Sequence, residues 1–147
     1  MGRIHECASD TVRKVLFPVL REDDVTRSIR YDKLLITYAN KLCIKYSHQH
    51  QQDMIRARLR LLGRFLIALK EYNPNVTEFS DVYNPSIYDD CLKAVNKIAN
   101  FDCINKKYGA PSVASNTGTY LKHIGNLLIT ECIKTNDTEK QSSTENF

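Results

Sequence analysis

Long apolar runs are missing from this 147-residue chain. No stretch of about 18 apolar residues occurs, which excludes a hydrophobic spanning helix. A secretory leader is not expected either, because the first residues are polar and the first apolar cluster is interrupted by Pro18. Charge of one sign is scarce. Lys plus Arg number 21 against 17 Asp plus Glu, a net +4, far from the excess of a histone or ribosomal tail. Cys-x-x-Cys pairs are absent. Cys7, Cys43, Cys91, Cys103 and Cys132 are odd in number and widely spaced, so they read as reduced thiols in an intracellular chain. Internal repeats and convincing strand alternation are also lacking.

Catalytic signatures are equally scarce. Gly-x-Ser-x-Gly does not occur, and no cysteine sits in a local protease signature. Gly-x-Gly-x-x-Gly and Gly-x-x-x-x-Gly-Lys, the loops that cradle phosphates, are absent. His48 and His50 with Cys43 upstream match no zinc spacing and read as an exposed helix junction. His5 with Cys7 is a lone pair near one end, and His123 reads as a helix-surface residue. The carboxylate pairs Asp23/Asp24 and Asp89/Asp90 lie near helix starts, where the helix dipole accounts for them. The expectation is therefore a non-enzymatic chain without cofactor or metal.

What is present is helical periodicity. Hydrophobic residues make up 42% and charged residues 26%, ordinary globular usage for one domain able to bury a core. Residues 1–9 read as a flexible lead-in. Asp10 is a candidate cap for a short helix that Pro18 stops. The acidic run at residues 22–24 opens a short piece to about residue 30, and Asp32 caps a helix through about residue 46. The clearest pattern covers residues 51–71, where Ile55, Leu59, Leu62, Leu66 and Leu69 step by 4, 3, 4 and 3. Residues 77–83 read as a helical turn. Asn84-Pro85 is a start signal for a helix to about residue 99, residues 101–110 read as a hairpin-like loop, and Pro111 opens a helix to about residue 134. Residues 135–147 are polar and aperiodic and read as a disordered tail. The expected architecture is all-α: a single-domain orthogonal bundle of four longer helices plus short ones, over residues 10–134.

Arginine is the informative residue type. At about 100° per residue, Arg56, Arg60 and Arg64 share an arc of about 80° on the helix of residues 51–71. Such a stripe suits phosphate recognition, because arginine stays charged and grips oxygens two at a time. The alternative is a solvated face with ion pairs, and Ile67 in the same arc signals that this side packs on something. Arg58 falls inside the apolar arc and so must reach the rim or meet a carboxylate, with Asp32, Asp89 and Asp90 as candidates. Gly63 marks a close helix contact. Gly118 and Gly125, seven apart, share a face that another backbone could approach. Lys106, Lys107 and Lys122 with Tyr108 and Tyr120 read either as a stacking platform for nucleic acid or as an ordinary amphipathic rim. Tyr38, Tyr46 and Tyr88 fit core or core-rim positions.

The run Ile55-Arg56-Ala57-Arg58-Leu59-Arg60-Leu61-Leu62-Gly63-Arg64-Phe65-Leu66 resembles the signature helix of a family of large animal proteins of uncharacterised function. Val15-Leu16-Phe17-Pro18 with the acidic residues that follow is similar to the family's entry segment. Gly109-Ala110-Pro111-Ser112-Val113-Ala114-Ser115 with Gly118 is similar to the opening of a later helix. The likeness spans roughly residues 10–134. Longer members carry zinc-finger-like segments and a region similar to tyrosine recombinases, so the resemblance implies a helical, core-binding type of module that clamps DNA. Zinc ligands and the recombinase Arg, His-x-x-Arg and Tyr set are absent here, so no catalysis carries over.

Two functions follow as expectations. One is duplex-DNA binding through Arg56, Arg60 and Arg64, supported by Lys106, Lys107 and Lys122, in an intracellular, nuclear setting. The other is protein interaction or self-association through the face of Gly118 and Gly125, with Arg58 and Gly63 as structural residues. Neither involves a membrane or a small-molecule substrate.

Overall fold

The computed structural model describes residues 4–147, apart from the side chain of Gln49. The chain is predominantly helical. A π-helical turn at Val12–Leu16 and a 3-10 turn at Phe17–Val19 precede α1 (Asp24–Arg30) and α2 (Lys33–Lys45). The longer helix α3 (Gln52–Tyr72) follows, then 3-10 turns at Phe79–Val82 and Pro85–Ile87. After them come α4 (Tyr88–Ile98), a hairpin of β1 (Phe101–Asp102) and β2 (Lys107–Tyr108), α5 (Pro111–Thr135) and α6 (Thr138–Glu145). The four longer helices expected from periodicity are α2, α3, α4 and α5.

The chain divides into two compact units, residues 1–64 and 65–147. The division falls inside α3, whose uninterrupted apolar stripe hides it from any reading of periodicity. In the first unit Val12, Leu16, Ile29, Leu35, Leu59 and Leu62 are buried. Capping carboxylates set its helix starts. Asp23 accepts from the Thr26 amide and Asp32 from the Leu35 amide, both at 3.0 Å, satisfying amide donors that the first turn leaves open. The π-helical turn is capped by Ser9 rather than Asp10: the Val12 amide donates to Ser9 Oγ at 3.3 Å.

The lead-in is not loose where it is described. The His5 amide donates to the Arg30 carbonyl at 2.8 Å. Asn40 accepts from the Ser9 amide at 2.8 Å and donates to the Cys7 carbonyl at 2.9 Å. Backbone satisfaction by one distant amide side chain leaves no periodic signal, which is why residues 5–9 read as flexible in sequence. Residues 1–3 lie outside the described residues.

In the second unit Phe65, Leu66, Leu69, Phe79, Val82 and Ile124 are buried. The 3-10 turn Phe79–Val82 is fixed by a reciprocal capping box between Glu78 and Asp81. Asn84 caps the turn Pro85–Ile87 by accepting from the Ser86 amide at 3.0 Å, so α4 starts one short turn later than expected. The β1–β2 hairpin pairs Phe101 with Tyr108 and Asp102 with Lys107.

Residues 138–145 form α6 within the stretch that reads as an aperiodic tail in sequence. Asn136 turns the chain in the left-handed region, φ 58°. The Asp137 amide donates back to the Cys132 carbonyl at 2.9 Å, and the Asp137 side chain caps α6 by accepting from the Lys140 amide at 3.0 Å. α6 packs on α5. A turn, a cap and one terminal aromatic hold this segment without any hydrophobic periodicity, so the pattern rules do not see it.

Candidate binding groove on α4 and α5

The arginines of α3 are committed to their own unit. Arg56 is 12% exposed. Its Nε donates to the Leu16 carbonyl at 3.0 Å, Nη2 to the Val15 carbonyl at 3.1 Å and Nη1 to Asp53 at 2.8 Å. It thus closes carbonyls that the turn Val12–Leu16 leaves open at its end. Arg60 grips Asp23 with both terminal nitrogens, at 3.2 and 2.7 Å, and reaches Thr26 Oγ1 at 3.1 Å. The Arg60 fork, aided by the Thr26 amide, holds the Asp23 carboxyl far below the usual carboxylate range and raises Arg60 in turn. Arg64 is exposed. Three arginines on one arc are therefore not three equivalent phosphate readers. Ile67, half-buried in the same arc, was the sequence signal that this side packs.

Arg58, placed by the helical wheel inside the apolar arc, is half-buried like Arg56 and Arg60. Its Nη1 donates to Tyr38 Oη at 3.2 Å, and its guanidinium lies over the Tyr46 ring at 5.9 Å. Gly63 faces α1 so closely that an added Cβ would stand 3.0 Å from both Ile29 and Val25. His48 and His50 are exposed and stack with ring centroids 5.6 Å apart. No three His, Cys, Asp or Glu side chains gather into a metal-holding cluster among the described residues.

The second unit carries a cavity of about 620 Å³ along α4 and α5. Leu92 and Val95 line it from α4, Gly118 and Leu121 from α5, and Cys91 lies buried at its base. Burial pushes the Cys91 thiol up to about 12, with the Asp90 charge adding to it. Gly118 opens the groove: a Cβ placed there meets nothing within 4 Å. Gly125, about two turns along the same face, is closed, because a Cβ there would lie 3.0 Å from Tyr83. The two glycines of the shared face thus do different things. Gly125 admits the Tyr83 ring, whose Oη donates to the Leu121 carbonyl at 2.5 Å, and Gly118 leaves open space.

One end of the groove is aromatic. The Phe147 ring stands edge-on to Tyr83 at 5.3 Å and to Tyr88 at 5.6 Å. Tyr83 continues to Phe79 at 6.3 Å, and Phe79 to Phe65 at 6.1 Å. Tyr88, read in sequence as core or rim, is 46% exposed and serves this mouth. Sequence reasoning missed Tyr83 and Phe147. Tyr83 sits in a short turn and Phe147 in an aperiodic stretch, so neither belongs to a stripe.

The lysines are dispersed in role. Lys122 and Tyr108 line the groove, whereas Lys106 stands exposed on the hairpin turn and Lys107 on β2. Lys106 holds φ 53° there, and Asp102 folds the turn by accepting from the Ile104 amide at 2.9 Å and from the Asn105 side chain at 2.8 Å. Tyr108 packs on Phe101 at 4.9 Å and donates its hydroxyl to Asn96 at 2.9 Å. Tyr120 faces His123 at 6.5 Å. All five cysteines are free, and no helix among the described residues is long and apolar enough to cross a membrane. No protein-family model matches the chain, and neither a curated protein nor a solved structure matches it.

Proposed function

We propose that this chain is a non-catalytic protein-interaction module whose α4–α5 groove receives a short segment bearing an aromatic side chain. One observation carries the reading: an apolar cavity of about 620 Å³ with an aromatic ring already seated at its Tyr83–Tyr88 mouth. Such concave apolar sites with a few polar rim groups are where proteins take up ligand anchors. Lys122 supplies a polar group to the lining.

The test is a selection of random 12-residue peptides displayed on phage against the full chain, with Gly118→Phe as the counter-selecting variant. Gly118 has open space beside it, so the new ring fills the groove without displacing the helix. Selected peptides share an aromatic anchor and lose at least tenfold in affinity for Gly118→Phe. No enrichment, or equal binding to both chains, overturns the reading.

A second reading, weak and non-specific binding of duplex DNA, is supported by the exposed Lys106, Lys107, Lys122 and Arg64 and by the net +4. It gains nothing from Arg56 and Arg60, whose donors are taken up by Leu16, Val15 and Asp23. Three lysine contacts give a log–log salt slope of about −2.7 on duplex DNA. Changing Lys106, Lys107 and Lys122 together to Ala removes most of it. Absence of binding at low salt leaves the protein-partner reading alone.

A further inference from the structure

We propose that residues 138–147 are the groove's own displaceable occupant, and that the partner displaces them with a segment of the same chemistry: a short polar helix carrying an aromatic side chain at one end. This rests on the reading of the α4–α5 groove as a binding site. Thr144, Glu145 and Phe147 line the cavity together with α4 and α5, so the segment covers one side of the groove and seats its ring at the mouth.

α6 packs on α5 with few apolar side chains. α6 has eight residues, Thr-Glu-Lys-Gln-Ser-Ser-Thr-Glu, without one aliphatic side chain, and only Thr144 is buried. A helix shorter than about 12 residues is marginal in water, so α6 keeps its shape through docking and capping. Within the helix, the Thr144 hydroxyl donates to the Lys140 carbonyl at 2.8 Å, and the Gln141 side chain donates to Glu145 at 2.9 Å. Those bonds stabilise α6 on itself and do not bind it to α5. Beside the packing of α6 on α5, the aromatic attachment is Phe147, with its two edge contacts. The link to α5 is the turn at Asn136, so the segment can swing out about one residue without disturbing α5. Local opening of this kind is the low-stability end of a fold. The tether nevertheless gives the segment a high effective concentration at the groove, so a partner must bind appreciably better than the untethered segment does.

The experiment uses the full chain, its Phe147→Ala variant, and two fluorescent synthetic peptides of residues 136–147, one native and one with Phe147→Ala. The native peptide binds the Phe147→Ala chain at least tenfold more tightly than the wild-type chain, because the groove mouth is vacated. The altered peptide binds neither. Hydrogen exchange at residues 138–145 rises in the variant while circular dichroism stays essentially that of the wild type. Failure of the native peptide to bind the variant chain overturns the proposal. Phage-selected peptides that bind wild type and Phe147→Ala equally, yet still lose Gly118→Phe, overturn the plug and leave the groove reading standing. Peptides indifferent to Gly118→Phe overturn the groove itself. A wild-type chain that dimerises while Phe147→Ala stays monomeric places the segment on a second copy and overturns the self-docked arrangement.

Discussion

In residues 1–64 charge is closed by charge, whereas in residues 65–147 an apolar face is left open. Arg60 meets Asp23 fork to carboxylate, and Arg56 is spent on carbonyls. In the other unit Gly118 and Leu92 border a cavity that a ring at one mouth only partly fills. The difference teaches where to look for recognition in a mildly basic helical chain. A cationic stripe on a helix is most conspicuous in sequence when it is structural, because holding a turn and a cap in place needs several arginines at helical spacing. An open apolar groove is inconspicuous, because it is made by what is absent: the side chain of one glycine.

The comparison breaks most visibly at Gly63, Arg56 and Gly118. Gly63→Leu forces a branched side chain against Ile29 and Val25 and lowers stability by about 3 kcal/mol in urea unfolding, through overpacking. Unchanged stability would show that α1 is not held against α3. Arg56→Ala strips the Leu16 and Val15 carbonyls of a charged donor and costs about 2 kcal/mol, with hydrogen-exchange protection falling first near residues 12–19. An exposed phosphate-reading arginine would cost nearly nothing. Gly118→Ala has the opposite sign. With nothing near its Cβ, it gains up to about 1 kcal/mol from helix propensity, read as a higher midpoint. A loss there would mean that the groove is closed.

The smallest effect is a pH dependence. The Asp23 carboxyl is held below its unfolded value by Arg60 and the Thr26 amide. The stability it contributes is therefore complete above the unfolded carboxylate range, about pH 4, and is lost as pH falls toward the lower folded value. Both side chains of the pair stay about a third exposed, 30% and 27%, so solvent screens the interaction. Comparing the urea midpoint of wild type and Asp23→Asn between pH 7 and pH 2.5 checks the sign. The advantage of the wild type over the variant narrows on acidification, and a gap as wide at pH 2.5 as at pH 7 refutes the assignment.

Local rules read much of the fold. The Asp32 cap, the Pro111 helix start and the leucine steps of α3 are each written in a few neighbouring residues, and they survive in the structure. The division within α3 is not legible, because an apolar stripe says that a helix is covered and never by which neighbour. The same limit applies to Arg56. The helical wheel gave its direction, and only the tertiary fold brought Leu16 and Val15 beneath it. Half of the groove was legible, through the spacing of Gly118 and Gly125. The other half came from Tyr83 in a short turn and Phe147 beyond a polar helix, two single residues outside any period.

The thiol at the base of the groove turns the molecule into its own timer. Alkylating reagents attack the thiolate, and burial holds the Cys91 thiol well above its ordinary value, so little thiolate is present at neutral pH. Cys91 is 3% exposed as well, so it reacts chiefly through moments when the groove is uncovered, whereas Cys103 stands in water throughout. The ratio of their labelling rates in one sample, resolved by peptide mass, reads out how often α4 and α5 are laid bare. Anything that seats itself between them slows one clock and leaves the other running.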